Sequence, residues 1–383
     1  MGTYTLRTRI CDLLGIEYPI LLAGMGPTAG GGRGSAATAE LVAAVSNAGG
    51  LGVLGGAGFA PDALRAEIRR IREMTDKPFG VDLLFPSNAV RPVEAAQGGD
   101  PRALIPPEYW EIVKRLKEQF GLPDVRAERP RELRTWRVED QVEVVLEERV
   151  PVLASGLGNP APFVPRCHEL GIKVIALVGN TKNARRVAQG GVDIIVAQGT
   201  EAGGHTGRVG TMALVPQVVD AVAPIPVVAA GGIADGRGVA AALALGAEGV
   251  WCGTVFLATY EANLYDWQKQ RILQATEEDT IVTRLYSGKT MRNITNPLAE
   301  AWEALGVKAL PMGLQGLLVA DLVASARAAG KDELLMNAAG QAAGMITRLR
   351  PAREVVEDLV RGAVEVLTHR LPAAVRAEAP AGA

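Results

Sequence analysis

The sequence predicts an α/β protein, a (β/α)8 TIM barrel with a small, mostly helical substrate-cap domain. Three observations predict it. Eight short, apolar, β-branched segments alternate with helical stretches at a spacing of about 20 to 35 residues, the rhythm of repeated strand–helix units. Several of these segments run at their carboxyl ends into polar or glycine-containing loops, where α/β barrels place their chemistry. Residues 260–350 then abandon the rhythm. An open doubly wound sheet is the alternative, but the G-x-G-x-x-G fingerprint is absent. Gly56-Ala57-Gly58 comes closest, with Pro61 where the third small residue would stand.

Taken in order, residues 18–26 (YPILLAGMG) read as a strand ending in a glycine-containing loop, with a glycine-rich linker over 29–34. A helix over 36–48 stops at Gly49-Gly50, and a second apolar segment covers 51–56. Pro61 opens a helix to about residue 74, since proline suits a first turn, and 78–85 form the third strand. Residues 86–137, rich in Pro, Arg and Glu, interrupt the repeat as an insertion with one or two helices, including one over 107–120. Helices at 138–149, 160–170, 181–189, 211–222 and 236–245 then alternate with strands at 151–155, 173–178, 192–197, 225–230 and 249–257. The barrel with its insertion spans 1–259 and the cap 260–350. The cap carries a polar helix with Tyr265, Trp267 and Lys269, an extended piece over 280–287, Met291-Arg292-Asn293, and helices near Leu298 and over 314–329. Residues 351–371 return as a closing helix, and the Ala/Pro-rich 372–383 are expected to be a disordered tail.

Composition removes several function classes. The 40 Lys+Arg nearly balance 42 Asp+Glu, so the basic footprint of nucleic-acid binding is missing. No apolar run is long enough to span a membrane, and residues 1–20 show no signal-peptide core, so a cytoplasmic protein is expected. Three scattered cysteines and three histidines favour neither a disulfide framework nor a metal site.

The chemistry centres on residues 192–207, VDIIVAQGTEAGGHTG. A strand buried on both faces turns polar at Gln198 and Gly199, and Gly203 and Gly204 let a flat ligand approach the backbone just before His205. The loops after the seventh and eighth strands, with Gly231-Gly232 and Gly253-Thr254, offer bare backbone N–H groups of the kind that bind phosphate. Ala23-Gly24-Met25, Asp82, Ser155-Gly156 and Gln198 would complete the enclosure of a flat ring, an outline that fits FMN.

The motifs QGTEAGGHTG, AAGGIADG, AAVSNAGGLGVLGG and KPFGVDLL, in order along the chain, resemble the nitronate monooxygenase family (2-nitropropane dioxygenases), which also holds FMN-dependent enoyl-ACP reductases. The resemblance covers about residues 7–259. It implies an FMN-containing barrel whose loop histidine, here His205, faces the flavin. Carried over by position, the flavin contacts are Ala23, Gly24, Met25, Asp82, Gln198, Gly204, Gly231, Gly232, Gly253 and Thr254. Asp82 departs from the Asn usual in the family, and an ionised acid there would repel a reduced flavin. The Asp-x-x-Tyr-x-x-x-Lys pattern of one subclass is half present, as Tyr265 and Lys269 with Ala262 in place of the acid. Long family members with such an insertion and cap include enzymes of CoA-linked steroid ring fragments.

The expected reaction is the oxidation of alkyl nitronates with O2 to a carbonyl compound and nitrite, with His205 as base. The alternative is an enoyl- or acyl-thioester reductase or dehydrogenase drawing on NAD(P)H, with Arg284, Lys289 and Arg292 as candidates to meet a CoA head. Met25, His205, Tyr265 and Met291 are the candidate substrate contacts. A homodimer is left open. Glu201 either orients His205 or faces solvent, His168 is structural, and Cys252 sits in the barrel wall without a basic partner in sequence.

Overall fold

The computed structural model describes residues 4–27, 34–87, 89–128 and 130–376. Most of the expected glycine-rich linker at 29–34 and the end of the tail, 377–383, lie outside them. Eleven strands are found among the described residues, and we number them in chain order. The barrel is formed by β1 (Ile20–Leu22), β2 (Gly52–Gly55), β3 (Phe79–Phe85), β4 (Val152–Gly158), β5 (Lys173–Val178), β6 (Ile194–Gln198), β8 (Val227–Ala230) and β9 (Gly249–Cys252). They run parallel in the order β1-β9-β8-β6-β5-β4-β3-β2. Leu22 N–H to Leu51 O and Leu51 N–H to Ile20 O, each 2.9 Å, join β1 to the start of β2 and close the ring.

Alternation along each strand decides what each residue meets. Leu21, Val53, Val152, Ala154, Ile175, Val196, Val228 and Trp251 form one cluster inside the barrel, while Ile20, Val81, Leu153, Ala176, Ala197 and Val250 pack outward beneath the helices. The short helix Arg9–Leu14 buries Ile10, Cys11 and Leu14 in the inner cluster. A Cβ on Gly249, the first residue of β9, would lie 2.5 Å from the Ile10 side chain, so this helix stoppers the amino end. The open end is therefore the carboxyl end.

The cap carries a small sheet besides its helices. β10 (Thr280–Thr283), β11 (Met291–Ile294) and the two-residue β7 (Gly204–His205) form an antiparallel sheet, with His205 opposite Met291 and Gly204 opposite Arg292. The insertion helix Pro107–Gln119 contributes Val113 and Leu116 to a second hydrophobic cluster. Leu298 and Trp302 of helix Pro297–Ala304 and Leu318 and Leu322 of helix Leu314–Ala328 supply much of the rest. Insertion and cap thus share one core. The eighth barrel strand ends at Cys252 and not at 257, because Gly253 opens a short helix, Thr254–Leu257. The closing helix Ala352–Glu365 packs on helix Gly236–Ala244, where Gly236 and Gly362 meet without side chains. Its path continues through Val366–Arg370 and Leu371–Ala374, so the first part of the expected disordered tail is helical.

Candidate active site

A cavity of about 460 Å3 occupies the carboxyl end of the barrel beneath the cap. Its floor follows from strand phase. The inward positions in the carboxyl-terminal halves of the strands include Gly55, Asp82, Gly156, Gln198, Ala230 and Trp251, and all of them line it. Ser155 is one residue out of phase: it follows outward Leu153 at a spacing of two, is wholly buried, and its hydroxyl meets no partner among the described residues. The expected contact at Ser155 is thereby corrected. Gly199 also stays in the wall, its N–H donating to Ala230 O at 2.8 Å with no room for a Cβ beside Thr211 Oγ1.

Among the described residues, Asp82 is the floor's one ionisable group. It is 5% exposed, and its Oδ1 accepts the Gly156 N–H at 2.6 Å. Gly24 and Gly156 hold it from two sides, since a Cβ on either would lie 2.1 Å and 2.7 Å respectively from its nearest atom. Burial pushes its pKa up to about 8, outweighing the lowering by the Gly156 hydrogen bond. Ala23 and Met25 of the loop after β1 line the adjoining wall.

The glycines expected to meet a phosphate, after the seventh and eighth barrel strands, reach the cavity. Gly231 and Gly232 adopt φ of 99° and 74°, a region open to glycine, and with Gly253 and Thr254 they line the cavity. The N–H groups of Gly232, Gly253 and Thr254 meet no protein acceptor among the described residues. Thr254 Oγ1 accepts from Gly340 N at 2.9 Å, which ties this corner to the cap.

Above the floor, Gly203, Gly204, His205 and Met291 line the cavity. His205 is held from several directions: its backbone pairs with Met291, its carbonyl accepts Gln198 Nε2 at 2.7 Å, and its ring Nε2 lies 2.9 Å from Ser287 Oγ. Glu201 also reaches the lining, but its carboxylate accepts the Thr211 N–H (3.0 and 3.1 Å) and hydroxyl (2.9 Å), so the first turn of helix Thr211–Val222 fixes it. Tyr265, expected as a substrate contact, stands outside the lining and stacks on Trp267 at 6.2 Å. Arg292, expected to meet a charged substrate, is buried in the cap sheet and donates to Thr200 O (3.0 Å) and Thr280 Oγ1 (2.8 Å). Arg284 and Lys289 do not reach the cavity either. Cys252 touches it, and burial holds its thiol up at about 12, so it is no nucleophile at neutral pH. His168 pairs with Asp193 at 3.0 Å on the outer side of the barrel, a structural position.

Sequence reading missed Ser287 and the arginines of the insertion. Gly288, at φ 76°, turns the chain between β10 and β11 and brings Ser287 back over Met291, a turn signal that was readable. Arg91, Arg134 and Arg137 line the part of the cavity that runs beneath residues 86–139. Nothing in their spacing announces it.

A profile of the nitronate monooxygenase family matches residues 7–362. Two relatives, both provisionally named, are a Mycobacterium tuberculosis monooxygenase (41% identical, covering 94% of this chain and 98% of the relative) and a Staphylococcus aureus nitronate monooxygenase (33%, 95% and 99%). Among solved structures, FabK from Thermotoga maritima is 36% identical with a TM-score of 0.73, covering 97% of this chain and all of that one. A nitroalkane oxidase from Streptomyces ansochromogenes is 29% identical with a TM-score of 0.77, covering 94% and 99%. With this cavity, this fold and a match along nearly its whole length, the chain is an oxidoreductase that belongs to the nitronate monooxygenase family.

Proposed function

We propose that the chain is an FMN-dependent nitronate monooxygenase that converts alkyl nitronates and O2 into carbonyl compounds and nitrite. The observation that carries this reading is His205, whose imidazole lines the cavity with Nε2 on Ser287 and its backbone fixed at two further points. The residues present fit FMN. Unpaired N–H groups at Gly232, Gly253 and Thr254 suit its phosphate, and the side-chain-free floor at Gly24, Gly55 and Gly156 suits a flat ring. When bound, FMN would supply the electron transfer between substrate and O2. His205 would hold the nitronate anion, or form it from the neutral nitroalkane by taking the proton next to the nitro group, and Met25, Leu257 and Met291 would keep water from that anion.

A second reading rests on the arginines. Arg91, Arg134 and Arg137 line the cavity away from the barrel floor in a charged stretch shared with Glu132 and Glu139, Arg91 and Arg137 pairing with Glu94 at its edge, and this polar mouth suits the anionic carrier of an acyl thioester, with NAD(P)H as electron donor. One experiment separates the two. The FMN-loaded protein is titrated anaerobically with an alkyl nitronate, NADPH and NADH in turn, and flavin bleaching is followed. Bleaching by nitronate alone is expected. Bleaching by a nicotinamide alone would replace the first reading with the second, and a chain that takes up no FMN would end both.

A further inference from the structure

A carboxylic acid on the floor of a flavin site poses a problem of sign. Ionised, Asp82 would oppose the electron-rich reduced flavin and would sit in the barrel interior with no cation among the described residues to compensate it. The strands packed against it offer none. β2 and β4 carry no ionisable side chain, nor do residues 18–26 near it beyond Tyr18, which packs with the outer cluster. The ionisable groups sharing the cavity stand on other elements: Arg91, Glu132, Arg134, Arg137 and Glu139 on or beside the insertion, Glu201 and His205 after β6, and Cys252 and Tyr286 in the wall and cap. Burial dominates the perturbation of Asp82, and no charged neighbour contributes to it. The geometry is equally one-sided. Oδ1 accepts from Gly156 N at 2.6 Å, while Oδ2 has no protein partner among the described residues. Gly24 and Gly156 leave the carboxyl just enough space to lie flat between two stretches of bare backbone.

Resting on the FMN reading above, we infer that Asp82 is a neutral carboxylic acid that accepts from Gly156 through Oδ1 and donates its own proton through Oδ2 to an acceptor on the bound flavin. In this state it offers what a carboxamide would offer, one acceptor and one donor without charge. Unlike a carboxamide it can be switched off by alkali. Its burial and the folded-state pKa of about 8 put that switch just above neutrality. The anion would lose the donor and place a negative charge under the ring, disfavouring the reduced flavin.

The test needs the FMN-loaded wild type and Asp82→Asn, with three readouts. The visible spectrum and midpoint potential of the bound flavin, followed from pH 6 to pH 10 as about the useful range, should show in the wild type a transition near pH 8, with the potential moving negative more steeply than in the variant. Asp82→Asn should match the wild type at pH 6 to 7, flatten that transition, and keep its affinity for FMN within about threefold. Identical titrations in the two proteins would overturn the inference. So would a large positive shift in potential at pH 7 on removing the carboxyl, the mark of an ionised acid. The third readout is the infrared band of a protonated carboxyl in the FMN-free wild type at pH 7, which needs no variant to fold and no flavin to bind. Its absence overturns the inference outright. Its presence in a chain that binds no FMN would instead sink the flavin reading and the donor role, leaving only the protonated state.

Discussion

Replacing His205 by alanine removes a side chain whose backbone and neighbours stay in place, since Gln198 bonds its carbonyl and Met291 its strand. Bound flavin should therefore keep its spectrum while turnover of a neutral nitroalkane, whose anion must first be formed, falls by about 10²- to 10⁴-fold, the usual contribution of a general base. Loss of flavin together with turnover would make His205 a cofactor ligand instead. Asp82 yields a prediction about stability. Its folded carboxyl holds a proton up to about pH 8, whereas the unfolded one releases it near 3.8, so the unfolded chain binds fewer protons between those values. Stability should accordingly fall as pH rises through that window, by up to about 1.4 kcal/mol per pH unit, and level off above it. Denaturant midpoints measured from pH 5 to about pH 9 should show this slope in the wild type and lose it in Asp82→Asn. At this scale the sequence was legible where chemistry named the residue, as at His205 and the Gly231-Gly232 corner. It was illegible where phase decided. Ser155 sits in VLASG, apolar on both sides of the strand, and a strand buried on both faces hides which of its residues point inward.

Elements differ in the same way. The barrel strands were readable because β-branched runs such as 173–178 leave no other option between helical stretches, and their helices followed from period and proline placement. β7 was not. Two residues long, it owes its existence to β11, far along the chain, and no local pattern can announce such a partner. Buried Arg292 fastens that small sheet, reaching Thr200 O across to the His205 loop and Thr280 Oγ1 on β10. Arg292→Ala removes hydrogen bonds from a charged donor, worth about 1.5 to 3 kcal/mol each. Amide exchange should accelerate at 204–206 and 291–294, turnover should drop, and the barrel strands should keep their protection. Unchanged exchange at 204–206 would mean that β-pairing alone holds the loop.

For the whole molecule, the second hydrophobic cluster makes the insertion and the cap one cooperative body. Trp302, 1% exposed, lies within it alongside Val113 and Leu116 of the insertion. Trp302→Ala should destabilise that body by about 3 to 5 kcal/mol. Exchange should rise together over 107–119, 297–304 and 314–328, whereas a rise confined to 297–304 would show insertion and cap to be separate. The shared core also sets an order of events at the ribosome. Val113 and Leu116 emerge well before Leu298, Trp302 and Leu318 have been synthesised, and β1 waits for β9 to close the ring. A nascent chain that has released Cys252 but not yet residue 297 would hold all eight barrel strands, still without the closing helix Ala352–Glu365, and would display the greasy face of helix Pro107–Gln119, a surface for chaperones to shield until the last third of the protein arrives to cover it.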